Sequence, residues 1–244
     1  LGDDDVHEDE AARAIAAAIA GDNVEVERPS TGRSNLIATA GGLVVIDRVA
    51  IDRLNRIDPA ITIATVAEYA VAAPGGMIAT VKIIPFAIAR ATLAAVQAAP
   101  AVRVAPFRAQ AIGLTATMLP SLKPSVMDKT RRLLEARLAP AAAHVAREER
   151  VAHDAAAVAR SLADQQRAGV DLLIVFGASA VVDADDVIPA AIREAGGTVE
   201  RLGMPVDPGN LLVLGHIGAT PVVGAPGCAR SPKENGFDWV LQRL

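Results

Sequence analysis

The chain has 244 residues, a net charge of -4 and one cysteine. That length carries one large domain or two of ordinary size, and a hydrophobic share of 52% excludes a disordered or low-complexity chain. The near-neutral balance lacks the basic footprint of a nucleic-acid binder, and a lone Cys excludes an intrachain disulfide and a Cys-rich zinc site.

Aromatic residues are only 2%, so the core must be built from Ala, Val, Leu and Ile. The most apolar region, 57–104, is interrupted by Asp58, Glu68, Lys82, Arg90 and Arg103, and cut again by Pro59, Pro74, Gly75, Gly76 and Pro85. A spanning helix needs roughly 20 uninterrupted apolar residues, so no membrane segment is expected. The start is acidic rather than basic-then-apolar, unlike a signal peptide. A cytoplasmic location is therefore expected. Because the chain begins at Leu1 and not at Met, a longer parent protein is expected as well.

Periodicity divides the chain into unlike halves. In residues 1–101 a helix is predicted over 9–20, with Asp5 or Asp9 as its cap and Gly21 as its stop. Strands are predicted over 23–28, 43–47 and 61–66, with helical spacing between them at 49–54. The run MIATVKIIPF, 77–86, reads as a strand whose Pro85 suits an edge or terminal position. A helix over 91–98 ends before Pro100. This half is a smaller mixed α/β domain with no strong site motif.

From 102 onward strands and helices alternate in steps of about 30 residues, the pattern of a parallel α/β sheet. Strands are expected at 111–116 and within 142–151, and helices at 125–138 and 154–167, the latter capped by Asp154 and stopped by Gly169. DLLIVF, 171–176, is a continuous apolar run, as a strand covered on both faces must be. A helix over 187–195 ends at Gly196-Gly197. Short strands at 211–214 and 221–223 flank a hairpin-like turn at 216–219. The expected domains are thus 1–101, 102–232, and a helix at 233–244 whose stripe of Phe237, Trp239, Val240 and Leu241 leads toward a further domain.

In such sheets ligands gather beyond the carboxyl ends of the strands. Four loops qualify: 116–125, 177–189, 204–210 and 224–232. The second is the richest. Gly177, Ala178, Ser179 and Ala180 are small residues straight after a buried strand, where a ligand can approach the backbone, and their amides are expected to be free for a phosphate. Asp183, Asp185 and Asp186 follow, a grouping that suits Mg²⁺ and equally suits a helix cap beside solvated acids. Ser121, Lys123, Ser125 and Lys129 are candidate phosphate contacts, and Arg230 and Lys233 follow the last loop. The four histidines show no paired metal-ligand spacing, so they read as structural, and Cys228 as a small loop residue.

The order of these loops, 177–189, Gly196-Gly197, Pro208-Gly209 and Gly224-Ala225-Pro226-Gly227, resembles the molybdopterin-binding domain family. Its members include molybdenum-insertion enzymes of the MoeA type and adenylyl-transferring proteins of the MogA and MoaB type. The resemblance covers about 109–232 and implies a three-layer α/β/α sandwich with a mainly parallel sheet. It also implies a molybdopterin or molybdopterin-adenylate ligand, with Asp185 as the family's metal and cofactor Asp. On it Gly177, Ala178, Ser179, Ala180, Pro208, Gly209, Asn210, Gly224, Pro226, Gly227, Ser125 and Lys129 are expected to bind the cofactor, and Asp183, Asp185 and Asp186 the Mg²⁺. The segment before 86 resembles the insertion of MoeA-like proteins that precede a cytidylyltransferase-like domain.

Departures are specific. Ala178 and Val182 stand where the family has glycine, and Asn210 stands where the insertion enzymes have lysine. Three readings follow: a magnesium-dependent, molybdenumtransferase-like enzyme of cofactor assembly; a non-catalytic pterin- or nucleotide-binding module; and a damage-inducible-type nucleotide-processing domain. A small-molecule pterin or nucleotide partner and a homo-oligomer are expected, with neither nucleic acid nor membrane.

Overall fold

The computed structural model describes residues 2, 4–120 and 123–244. The chain forms two compact units, Leu1–Phe107 and Arg108–Leu244. The first contains β1 (Asp5–His7), α1 (Glu8–Ile19), β2 (Val24–Val26), β3 (Arg33–Ala38), β4 (Gly42–Ile46), α2 (Arg48–Leu54), β5 (Ile61–Thr65), β6 (Val71–Ala72), β7 (Met77–Ile83), β8 (Ala87–Ala89), α3 (Arg90–Ala95) and β9 (Val102–Pro106). Residues 102–106 were expected to open the second domain. Instead β9 pairs antiparallel with β4, from Gly42↔Pro106 to Ile46↔Val102, and so belongs to the first unit.

The named strands of this unit all pair antiparallel: a sheet in the order β2-β3-β7-β5, a second in the order β6-β4-β9, and the β1-β8 pair, with one isolated parallel bridge between Ala20 and Val102. Helix α1 buries Ala11, Ala12, Ile15, Ala16 and Ile19, a stripe at helical spacing that lies with Leu36, Val81 and Ile83 in one core. Its cap is His7, whose side chain accepts from the Asp9 amide at 3.2 Å; Asp9 instead accepts from Gly32 N–H at 2.7 Å. β7 is an interior strand, with β3 and β5 on its flanks. Pro85 lies beyond its end, where the missing N–H disturbs no ladder.

The second unit contains β10 (Ala111–Met118), α4 (Pro124–Leu138), β11 (His144–Ala152), α5 (Ala155–Arg167), β12 (Leu172–Phe176), α6 (Val187–Glu194), β13 (Thr198–Leu202), β14 (Val213–Ile217), β15 (Thr220–Ala225) and α7 (Gly236–Leu241). Its six-stranded sheet has the order β11-β10-β12-β15-β14-β13. Strands β11, β10, β12 and β15 are mutually parallel, and only β14 runs against the rest. Helices cover both faces, which gives a three-layer α/β/α sandwich. Alternation along β12 makes the layers explicit: Leu173 and Val175 pack with Leu162, Ile188 and Ile192 of α5 and α6, whereas Leu172, Ile174 and Phe176 pack with Leu134, Leu138 and Phe237 of α4 and α7.

Local signals set the boundaries. Asp154 caps α5 by accepting from Ala157 N–H at 3.0 Å. Gly196 follows α6 at φ +79°, a left-handed stop. Edge strand β11 reads HVAREERVA, and its Glu148 joins Arg131 of α4 and Arg150 in a surface ion-pair chain. Helix α7 opens with a capping box between Asn235 and Asp238 and sinks Phe237 completely. Phe237 meets Phe176 edge-on, with centroids 6.0 Å apart and planes at 64°; burying such a ring is worth about 1.5–3 kcal/mol. Phe237, Val240 and Leu241 of the apolar stripe pack on this domain. Trp239 stays 41% exposed and donates from Nε1 to Glu234 at 2.8 Å.

No helix among the described residues is long and apolar enough to cross a membrane.

Candidate functional site

Strands β10, β12 and β15 end at Met118, Phe176 and Ala225 on one rim of the sheet, and β13, running the same way, ends there at Leu202. The loops 177–189, 204–210 and 226–232 all leave this rim. So does the start of α4, with Lys123, Ser125 and Lys129 exposed on its approach and first turns. Ser121 lies outside the described residues.

The 177–180 segment is anchored rather than wholly free. The Ala178 amide donates to Thr117 Oγ1 at 2.6 Å, contrary to the expectation that all four amides lack an intrachain acceptor. Thr117 is fully buried at the end of β10, and its hydroxyl also shares a hydrogen bond with His153 Nδ1 at 2.9 Å. The amides of Ser179 and Ala180 have no acceptor among the described residues. The Gly177 carbonyl accepts from Arg230 Nη2 at 3.0 Å.

The three acids of this loop diverge in role. Asp186 stands at the cap position of α6 but turns back, its Oδ2 accepting from Val182 N–H at 2.6 Å and from Asp183 N–H at 3.0 Å. Asp183 Oδ1 accepts from Asp185 N–H at 2.7 Å. These two carboxylates brace the loop. Asp185 is the one left outside, with a side chain 93% exposed and one contact, Arg193 Nη2, at 3.1 Å. No group of three His, Cys, Asp or Glu that could hold a metal ion occurs among the described residues.

The 204–210 loop is tied to the residues that follow the last loop. Gly236 N–H donates to the Pro208 carbonyl at 3.0 Å, and Met204 N–H to the Asn210 carbonyl at 2.9 Å. Gly209 is buried at φ +121°, and a Cβ there would stand 2.6 Å from Gly236 N, so only glycine fits. Pro208 and Asn210 are exposed beside it. Of the last loop, Gly227 is exposed and Pro226 buried. Gly224 lies within β15, where a Cβ would press on Val213 and Ile188; its place is in the sheet's packing, one residue short of the rim.

Two arginines sit at this end of the core, each over one of the paired rings. Arg137 of α4 lies 5.8 Å from the Phe237 centroid and is fully engaged: its guanidinium donates to Asp238 at 2.6 Å, to Ala229 O at 2.9 Å and to Ser231 O at 2.6 Å. Arg230, closing the 3₁₀ turn Gly227–Arg230, lies 5.4 Å from the Phe176 centroid, and its buried Nε has no partner. Burial lowers the Arg230 pKa and raises that of Cys228. Cys228 Sγ–H points at Asn235 Oδ1, 3.8 Å away.

From the sequence no role is assigned to Thr117 or Arg137, and His153, read as structural, is the partner of the Thr117 hydroxyl. The available signal was the strand-end spacing of Thr115 and Thr117, two hydroxyls on one face of an otherwise apolar run.

This is a sandwich whose rim carries two backbone amides without an acceptor among the described residues and the guanidinium of Arg230. The chain belongs to the family described as "Probable molybdopterin binding domain", which matches residues 115–244. Among solved structures it is similar to a molybdopterin biosynthesis MoeA protein from Pyrococcus horikosii, at 14% identity over 91% of this chain and 69% of that one, TM-score 0.37. It is also similar to a molybdenum cofactor biosynthesis protein B, at 18% identity over 57% of this chain and 98% of that one, TM-score 0.37. A third is a MogA structure, at 17% identity over 54% and 90% of the two chains, TM-score 0.36. No curated protein sequence matches.

Proposed function

We propose that the second unit binds molybdopterin or its adenylate at the carboxyl rim of its sheet, as a step in molybdenum cofactor assembly. The observation that carries this reading is the joining of rim loops around unspent donors. Ser179 and Ala180 offer free amides, Arg230 ties their loop to the turn after β15, and Gly209 and Gly236 lock the third loop beside it. A phosphate-bearing ligand matches those donors, and membership of the family supports a pterin as the rest of the molecule.

Mg²⁺ fits this rim only as a shared ion. Asp183 and Asp186 each commit one carboxylate oxygen to their own loop, whereas Asp185, 93% exposed, braces nothing and meets only Arg193. One carboxylate plus ligand phosphate oxygens is an ordinary Mg²⁺ environment. The ion would neutralise phosphate charge when bound; the chain's own residues hold and orient the ligand. Molybdenum insertion is the transfer reaction this arrangement would serve. The bracing role of two of the three acids favours a holding and presenting role over a metal cage built by the protein alone.

The test is titration of the protein with molybdopterin, with and without Mg²⁺ and molybdate, followed by mass spectrometry of the bound species. Saturable binding that tightens with Mg²⁺ is expected. Asp185→Asn should weaken the Mg²⁺-dependent part about ten- to hundredfold, the worth of one charge-assisted contact. Absence of saturable pterin binding would overturn the reading.

A further inference from the structure

We propose that Arg230 is the phosphate-recognition group of this rim, selecting ligands that carry a phosphate monoester over the same ligands without it. The proposal deepens the pterin reading and rests on it for the rest of the ligand. A guanidinium offers five N–H donors in a planar fork. On Arg230 one intrachain acceptor, the Gly177 carbonyl, is met; Nε is buried without a partner, and no carboxylate pairs with the group among the described residues.

Arg137 supplies the internal contrast. It has the same kind of seat on an aromatic ring, but it holds Asp238 and two carbonyls, as a structural arginine does. A cation held over Phe176 without a counter-charge is an unfavourable arrangement for a group with no further task. Its depressed pKa reflects the same lack of compensation.

Position and chemistry then agree. The guanidinium rests on the last residue of β12 and touches the first residue of the loop whose Ser179 and Ala180 amides are free. A phosphate there would take the charge-assisted fork from Arg230 and the neutral amides from the loop. The planar fork suits a tetrahedral dianion in bidentate fashion, which a lysine's point charge does not.

The experiment uses two probes that differ by one group: 6-hydroxymethylpterin and its phosphate monoester, titrated calorimetrically into the unaltered protein and into Arg230→Met and Arg230→Lys. The unaltered protein should bind the ester about ten- to hundredfold more tightly than the alcohol. Arg230→Met should erase that preference, and Arg230→Lys should keep part of it.

Should Arg230→Met not fold, the buried Nε–H remains readable by NMR in the unaltered protein, where inorganic phosphate should shift it saturably. An Arg230→Met protein that still prefers the ester would overturn the proposal. So would an unaltered protein with no preference and an Nε–H that phosphate leaves unmoved. If inorganic phosphate shifts Nε–H but neither pterin binds, the anion site stands and the pterin reading falls.

Discussion

Thr117 at the end of β10 holds the Ala178 amide across to the end of β12, at 2.6 Å, and thereby fixes where the small-residue loop begins. The bond links two adjacent parallel strands just past their last ladder pair, Ala116↔Phe176.

Thr117→Val keeps the shape and removes the acceptor, leaving the Ala178 amide and His153 Nδ1 without their partner. An unsatisfied buried donor costs about 1–3 kcal/mol. Denaturant unfolding should show a loss of that size, and Thr117→Ser should restore most of it. An unchanged midpoint in Thr117→Val would mean that water replaces the hydroxyl and that the loop needs no anchor.

Arg137→Met should be the more damaging change. Its side chain is 10% exposed and its partner Asp238 12% exposed, so the substitution strands a carboxylate and two carbonyls in low dielectric. Breaking a buried pair from one side costs about 3–5 kcal/mol. The double variant Arg137→Met with Asp238→Asn should recover part of the loss in a double-mutant cycle; strict additivity would show that the pair is not coupled.

The elements that read directly from sequence are those where one local force decides the outcome. LLIVF of β12 has to be a strand between two layers, Asp154 has to cap, and Gly196 has to stop. β13 has no burial pattern to mark it, because TVERL is almost wholly exposed on a sheet edge. Residues 102–106 join β4 and not the second sheet, because an alternating strand carries no label for which sheet it joins. At the rim, the Asp cluster and the glycines stood out by composition, but their use did not. Whether an Asp faces a ligand or its own backbone depends on turn geometry, as Asp186 shows. Arg137 reaches Asp238 across 101 positions of sequence, a separation no spacing rule spans.

Gly209→Ala tests the third loop. Its φ of +121° and the 2.6 Å approach to Gly236 N leave no room for a methyl group. A residue forced into such a conformation costs about 1–3 kcal/mol before any clash is counted. Reduced thermal stability is expected together with altered amide exchange at Gly236; a variant as stable as the parent would show that this contact can open freely.

Cys228 should be a slow thiol. Burial, with the Asp207 and Asp238 carboxylates adding to it and Arg137 opposing, pushes its pKa above the usual thiol range. Iodoacetamide alkylation followed by mass should therefore have a pH midpoint above that of free cysteine, about 8.5. The linked stability runs the same way: because the folded pKa is the higher one, the contribution is complete below the unfolded thiol's pKa and declines as pH rises through the folded value. Cys228→Ser should flatten that alkaline decline. A midpoint at or below that of free cysteine would contradict the burial.

Trp239, half in water on the helix that docks Phe237, is the chain's one tryptophan, and Tyr69 in the other unit is its one tyrosine. The two units therefore carry separate optical labels. Emission excited at the red edge of the indole band, where tyrosine does not absorb, reports the detachment of α7 from the sandwich, whereas Tyr69 absorbs under the indole band and is read alone in Trp239→Phe. Two denaturation series, one on the unaltered chain and one on Trp239→Phe, then follow each unit without cutting the chain or attaching a dye.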